Sequence, residues 1–427
     1  MAAPFLYRFW VGLSMVLVPF FAQTETRKLR AAGVPVVRAH EKLGHATEPR
    51  QSDGPLIWFH AASVGESLSV VALIHRMGVK LPKAQFLITS GTASSSELIA
   101  KRMPPNTVHQ FAPFDAPGPI RRFLKHWHPD AAIFVESEIW PQLLRRTRAS
   151  GASMAMVNAR LSERSLTKWQ KMPRLARYVF EVFDLILTQN DAMAEAMVRV
   201  HAPPSRVARG INLKSMAGPL PLDEDLLFEA RAALGHRPVW IASSTHEGEE
   251  EVVLDAHVQL LQRWPDLCLI LAPRHTERAR DVMNLIAGKS FNFTRRTRGD
   301  APGEQVFLAD TMGELGTWYA LSDIVFLGGS LQPKGGHNAF EVAQSGAMAL
   351  SGPHVFNFAE TFSEMETAGA ARLVANSESL AHEVGRLLEN DATRRDAVQA
   401  ATTFADAQTD KLDGIANRLI KALELDG

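Results

Sequence analysis

Uninterrupted apolar runs of strand length alternate along the chain with stretches of helical periodicity. They are LIWFH, FLITS, AAIFV, MAMVN and DLILT in the first half, then VWIAS, LCLILAP, VFLAD, IVFLGG and AMALSG in the second. Runs apolar on both faces suit parallel strands covered by helices on each side, so the pattern predicts α/β architecture built twice. Between the halves, HAPPSRVARGINLKSMAGPLPLDED carries Pro203, Pro204, Pro219 and Pro221 with Gly210 and Gly218, the punctuation of an interdomain connection near residues 210–222. From about Ser377 onward the periodicity is helical, which predicts terminal helices. No short-period repeat is present, which argues against solenoids and propellers. Two doubly wound domains facing one another are expected to bind ligands in a cleft at the C-terminal ends of their strands.

The N-terminus departs from this pattern. FWVGLSMVLVPFFA, from Phe9 to Ala22, is uncharged, and reaching the ~20 residues that span a bilayer requires residues 1–7 and Arg8 as well. This predicts a membrane anchor, either spanning or interfacial. A cleaved signal peptide is the competing reading, but the following QTETRKLR has no small-x-small cleavage site. Arg27, Lys28 and Arg30 predict that the body of the protein stays on the cytoplasmic face. The resulting division is an anchor with its basic flank at 1–30, Rossmann-like domains at 50–212 and 213–400, and a terminal helix at 401–427 packing back on the first domain.

Composition narrows the function classes. The 427 residues are 46% hydrophobic and 22% charged, as in soluble globular proteins. Forty-six basic residues balance 46 acidic ones, so the chain lacks the global field with which nucleic-acid binders collect phosphates, and no nucleic-acid partner is expected. The single cysteine, Cys268, lies in an apolar run and excludes an intramolecular disulfide or a multi-cysteine metal site.

Chemistry is expected at the strand ends. After LIWFH, the small residues of HAASVGE lead into a helix starting near Ser63, with Gly65 and Glu66 in its first turn. Ser63 and Glu66 fit a capping box, while a carboxylate held there also suits a proton acceptor. FVESEIWP places Glu136 and Glu138 on one face if the strand continues, with Pro141 opening the next helix; helix-terminal acids are the alternative. Asn158, Arg160, Ser162 and Arg164 follow the next strand, as a solvated loop or as part of the same rim.

In the second half, Ser244 and Glu247 form a possible second capping box, and Ser243 to Thr245 would expose backbone donors for a phosphate. Arg274, His275 and Arg278 follow LCLILAP, where a cation would neutralise an anion. The loop after IVFLGG holds Gly328, Gly329, Lys334, Gly335 and Gly336 before a helix opening near His337 and ending at Gly346; its free N–H groups would face a phosphate, with Glu341 near a ribose. Neither GxxxxGK[ST] nor GxGxxG is present. Asp223-Glu-Asp225 formally reads as a metal-binding DxD but suits a helix cap, and His246-Glu247 lacks the second histidine of HExxH, so no metal is expected.

Seven blocks, HAASVGE, FVESEIWP, NARLSERS, ASSTHEGEEE, LAPRHTER, DTMGELG and GGSLQPKGGHNAFE, occur in that order over roughly residues 56–360. Together they resemble the 3-deoxy-D-manno-octulosonic acid (Kdo) transferases. The resemblance implies a GT-B fold, a donor CMP-Kdo, a lipid A precursor as acceptor, a place at the cytoplasmic face of the cell inner membrane, and metal-independent inverting transfer without a cofactor. By motif, Glu66 resembles the family's base, its pKa kept low by the donor-rich turn, and Glu138 the second functional carboxylate. Ser63, Gly65, Glu136, Asn158, Arg160 and Arg164 fall on the acceptor side, and Ser244, Arg274, His275, Gly329, Lys334, Gly336, Asn338 and Glu341 on the CMP side. Arg160, Arg164, Arg274, Arg278 and Lys334 would supply local cationic rims. The chain departs from the family in reading GGHNAFEV for GGHNPLEP and GINLKS for a GNLK-type turn. Alternative readings are a GT-B transferase of another activated sugar, a nucleotide-sugar epimerase, and a non-catalytic, membrane-tethered nucleotide-sugar-binding protein.

Overall fold

The computed structural model describes residues 2–51, 54–101, 103–216 and 220–425. The chain folds as two compact units, Met1–Ala217 with Asp410–Gly427, and Gly218–Thr409.

The first unit is built on seven parallel strands: β1 (Leu56–His60), β2 (Gln85–Ser90), β3 (Thr107–Phe111), β4 (Ala131–Val135), β5 (Ser153–Ala159), β6 (Leu185–Thr188) and β7 (Val207–Arg209), in the order β3-β2-β1-β4-β5-β6-β7. The chain runs outward from β1 to β3 and then returns to place β4 on the other side of β1. The β1/β4 junction is therefore the topological switch point, where adjacent connections leave in opposite directions and open a crevice at the strand ends.

Both faces of this sheet are covered, which is why its inner strands are continuously apolar. On one face Trp58, Phe123, Trp127, Phe134, Phe180 and Phe183 pack together. On the other, Phe59, Leu73, Ile74 and Met77 pack with Leu412, Ile415, Leu419 and Ile420 from the end of the chain. Each such side chain contributes about 1.5–3 kcal/mol on full burial.

Residues 213–216, expected in the second domain, belong to the first unit. Leu213 is buried in its core, and its N–H donates to Asn158 Oδ1 at 3.2 Å. Gly218 and Pro219 of the expected connection lie outside the described residues.

The N-terminal apolar run is one helix, Phe5–Ala31, with Pro19 inside it. It is long and apolar enough to cross a membrane, with a mean hydropathy of 1.6 over its most apolar window.

The second unit repeats the architecture with β8 (Val239–Thr245), β9 (Cys268–Pro273), β10 (Phe293–Arg295), β11 (Val306–Leu308), β12 (Ile324–Leu327), β13 (Met348–Ser351) and β14 (Ala371–Leu373), all parallel, in the order β10-β11-β9-β8-β12-β13-β14. Its switch point is the β8/β12 junction. Cys268 is fully buried, and burial pushes its thiol up to about 12. Asp223 caps the helix Glu224–Leu234, accepting from Leu226 N–H at 3.0 Å, which accounts for the DxD look-alike. A single helix, Asp391–Ala422, begins in the second unit and ends in the first.

Candidate active site

At the first switch point, β1 turns through Ala61 and Ala62 into the helix Val64–Lys80, which Ser63 caps by accepting from Glu66 N–H at 3.3 Å. The Glu66 carboxylate folds back over the turn. Oε2 accepts from Ala62 N–H at 2.9 Å and Oε1 from the Ser63 hydroxyl at 3.0 Å. The bonds that cap the helix therefore also fix the orientation of the carboxylate at the strand end. Partial burial together with the charges of Glu138 and Glu136 outweighs these two donors and raises the Glu66 pKa above the ordinary carboxylate value. This corrects the expectation of a low pKa: donors in the turn orient the group, while desolvation and like charge govern its basicity. A raised carboxylate is the better proton acceptor near neutral pH.

Glu136 and Glu138 do not continue the alternation of β4. The strand ends at Val135, and Glu136 adopts φ +53°, which turns the two carboxylates toward different partners. Glu138 accepts from Trp140 Nε1–H at 2.6 Å and lies 3.4 Å from His60 Nε2, both in a nearly buried setting. Burial alone would raise its pKa, but the His60 ring and the Trp140 N–H more than offset that and hold it below the usual value. His60 is fixed from behind by Thr89 Oγ1, 2.9 Å from its Nδ1.

Glu136 pairs with Lys214 Nζ at 2.7 Å and accepts from Asn158 Nδ2–H at 3.2 Å. Asn158, also at positive φ and almost fully buried, holds Glu136 with one end and the Leu213 amide with the other. Arg160 and Arg164 are exposed and have no ion-pair partner among the described residues. Sequence reasoning overlooked His60 and Lys214. His60 closes the first strand run and was legible as a polar residue at a strand end, whereas Lys214 meets Glu136 only through a long-range contact. The backbone at Gly65 is open: a Cβ there would meet only Lys214 Cε, at 3.7 Å.

In the second unit the donor-side candidates separate into two groups. Glu249, in the first turn of the helix Glu249–Leu261, is fully buried. It accepts from the N–H groups of His246 (2.9 Å), Gly329 (2.6 Å), Ser330 (2.8 Å) and Leu331 (2.8 Å). Of the loop glycines expected to face a phosphate, Gly329 thus already has its amide taken by a carboxylate.

Several other expectations change with this. Ser244 and Glu247 form no capping box, because Gly248 is the N-cap and Ser244 is buried at φ +54° inside β8 along with Ser243 and Thr245. Arg278 is no free cation: it grips buried Glu250 with two hydrogen bonds of 2.8 and 3.3 Å. Burial raises Glu250 despite that pairing. The helix predicted from His337 is the short segment Ala339–Gln344, capped by Asn338 through Phe340 N–H at 3.2 Å, with Glu341 in its first turn.

A cavity of about 450 Å³ remains, lined by His246, Glu247, His275, Arg278, Gln332 and Lys334. His246 and His337 stack at 8° with Nε2 atoms 3.1 Å apart, and His275 stands edge-on to His246. Burial and the neighbouring Arg274 hold His337 down at about 4, so it is neutral at pH 7. Burial likewise lowers His246. Arg274 and Lys334 are exposed, without ion-pair partners among the described residues. Neutral histidine donors beside free cations suit a ligand that carries both an anion and hydroxyl groups. Among the described residues no cluster of His, Cys, Asp and Glu is arranged to hold a metal ion.

A family model for 3-deoxy-D-manno-octulosonic-acid transferase (kdotransferase) matches residues 37–217. The chain is 33% identical over 345 residues to the 3-deoxy-D-manno-octulosonic acid transferase of Haemophilus influenzae, covering 79% of this chain and 80% of that protein. It is 30% identical over 418 residues to the enzyme of the same name from Bordetella pertussis, covering 93% and 94%. Among solved structures, a glycosyltransferase from Rickettsia africae matches with a TM-score of 0.55 at 12% identity over 88% of this chain and 100% of that one. A UDP-GlcNAc 2-epimerase from Neisseria meningitidis matches with 0.54 at 11% over 86% and 99%. At such identities the likeness is one of fold alone, that of GT-B proteins with two Rossmann-like sheets.

Proposed function

This chain belongs to the Kdo transferase family, and from that membership we propose that Glu66 is the general base of an inverting transfer from CMP-Kdo to a glucosamine hydroxyl of a lipid A precursor. The chain is a glycosyltransferase of lipopolysaccharide core synthesis. The observation that carries the assignment of the base is the Glu66 carboxylate itself. It sits at the switch point, oriented by Ala62 and Ser63, and its basicity is raised by burial and by Glu138 and Glu136.

In the proposed step Glu66 takes the hydroxyl proton as the acceptor oxygen bonds to the anomeric carbon of Kdo from the face opposite CMP. The bond to the phosphate oxygen breaks, its electron pair leaves with CMP, and the configuration inverts. Negative charge accumulates on the leaving phosphate, where Arg274 and Lys334 supply cations and His246, His275 and His337 supply hydrogen-bonding ring nitrogens. Asn338 and Glu341 are assigned to the nucleotide. On the acceptor side, Glu138, held by His60 and Trp140, tunes Glu66; Glu136 with Lys214 and Asn158 shapes the approach; Arg160 and Arg164 meet acceptor phosphates. No divalent cation is assigned a part. The helix Phe5–Ala31 keeps the enzyme at the cytoplasmic face of the inner membrane, where a lipid acceptor is concentrated.

The test is transfer from CMP-Kdo, generated in situ, to the tetra-acylated lipid A precursor in EDTA, with added sugars counted by mass spectrometry. Wild type should transfer, while a folded Glu66→Gln variant that still binds CMP should not. Absence of transfer by wild type with CMP binding intact would redirect the search to another CMP-linked sugar or another acceptor.

A further inference from the structure

The helix Phe5–Ala31 is docked along the first unit by polar contacts. Trp10 Nε1–H donates to Asp115 Oδ2 at 2.8 Å. The Gln142 side-chain amide, Nε2, donates to Ser14 Oγ at 2.8 Å and to the Asp115 carbonyl at 2.7 Å, while Asp115 Oδ1 accepts from Leu143 N–H at 2.7 Å. Nearer the N-terminus, Tyr7 packs edge-on against Tyr178, whose other neighbour is the Arg145 guanidinium, 3.9 Å from the ring centroid. Ser14, Ala22 and Leu29 are buried, and with half-buried Tyr7 and Val11 they fall on a single helix face.

The opposite face carries Phe5, Phe9, Val16 and Phe20, exposed by 78, 58, 62 and 72%. Leu6, Met15 and Phe21, also exposed, widen this apolar surface along its flanks. Arg8, Arg27 and Arg30 are exposed along and beyond it, while Glu25 is paired with Lys28 at 2.7 Å. An apolar stripe flanked by cations is complementary to the surface of an anionic bilayer. For the helix to cross the bilayer, Trp10 and Ser14 would have to part from Asp115 and Gln142, or carry those groups into hydrocarbon, where an ionisable residue is strongly disfavoured.

We infer that the helix Phe5–Ala31 lies in the plane of an anionic lipid surface, latched to the first unit through Asp115 and Gln142, with Phe5, Phe9, Val16 and Phe20 entering the acyl boundary. The inference rests on the membrane-face reading above and adds an orientation to it. Gln142 and Leu143 stand at the start of the helix Pro141–Ala149, directly after Glu138 and Trp140. The latch therefore ties the depth of the helix in the lipid to the segment that carries the second carboxylate.

Single-cysteine labelling of the full chain tests this, because buried Cys268 supplies no reactive thiol. Ala2→Cys and, separately, Lys421→Cys are treated with a membrane-impermeant maleimide in sealed inverted inner-membrane vesicles and in spheroplasts. Both positions should label in the inverted vesicles and neither in spheroplasts. Labelling of position 2 only in spheroplasts means that the helix crosses, which overturns the in-plane orientation and leaves the membrane reading standing. Failure of the wild-type chain to float with vesicles of phosphatidylethanolamine and phosphatidylglycerol overturns both. For the latch, Ser14→Cys should label at least tenfold more slowly than Ala2→Cys, and Trp10→Phe should raise that rate several-fold. Equal rates at positions 2 and 14 would overturn the latch.

Discussion

At the β1/β4 switch point, Glu66 stands in the first turn of a helix, partly open and held by two donors; at β8/β12, Glu249 stands in the first turn of the corresponding helix, fully buried and held by four backbone N–H groups. The two carboxylates occupy like places in two copies of one architecture. What separates them is how completely the surroundings consume their lone pairs. Glu249 has no capacity left for a ligand and fixes the glycine loop, whereas Glu66 keeps a carboxylate that can still take a proton. Position in the fold makes a carboxylate available to a site, and its hydrogen-bond occupancy decides whether it does chemistry or construction.

The contrast can be broken most sharply at the two glutamates. Glu66→Gln should lower transfer by about 10²–10⁴-fold, the usual worth of a positioned general base, with an unchanged melting temperature. Glu249→Gln should do the reverse in kind. An amide offers one acceptor oxygen in place of two and adds donors facing donors, so unfolding of the second unit should become easier by about 3 kcal/mol, measured by denaturant titration. Should Glu66→Gln destabilise as much as Glu249→Gln, the two residues share a structural role and the distinction fails.

Smaller changes sharpen it. A Cβ at Gly328 would fall 2.6 Å from the Ser244 carbonyl oxygen and 2.8 Å from Glu249 Oε2, so Gly328→Ala should displace the pinned loop and weaken CMP binding, read by calorimetry. Gly65→Ala should leave stability within about 0.5 kcal/mol of wild type, since only a flexible lysine lies near. Any loss of transfer in that variant would then report on the space needed beside Glu66. Smallest is a pH effect. With Glu66 as the proposed base, transfer needs it deprotonated, so the rate should rise with pH through that group's pKa. Glu138 raises that pKa, so Glu138→Gln should move the acid limb of the pH–rate profile toward lower pH.

Much of the fold is legible in the sequence, and the omissions share one cause. All ten apolar runs became interior strands, whereas β3, β7, β10 and β14, which the pattern did not reveal, are the four edge strands. An edge strand pairs on one side only, so it need not be apolar throughout. TVHQF carries His109 and Gln110, and every residue of FTR is only half-buried. The Ser63–Glu66 turn could be read because all its partners lie within four residues. By contrast, the turn of the backbone at Glu136, the Lys214 ion pair and the capture of Arg278 by Glu250 depend on residues 22 to 78 positions away. Local spacing carries no trace of such pairings.

The division of the C-terminal helix between the units has a consequence for biosynthesis. Leu412, Ile415, Ala416, Leu419 and Ile420 fill one face of the first sheet, although nearly all the rest of that unit precedes residue 218. On the ribosome, that face stays unfinished while the whole second unit is made, on the order of 10–40 s at typical elongation rates. The nascent first domain therefore waits, with apolar surface uncovered, until residues 412–420 have been made.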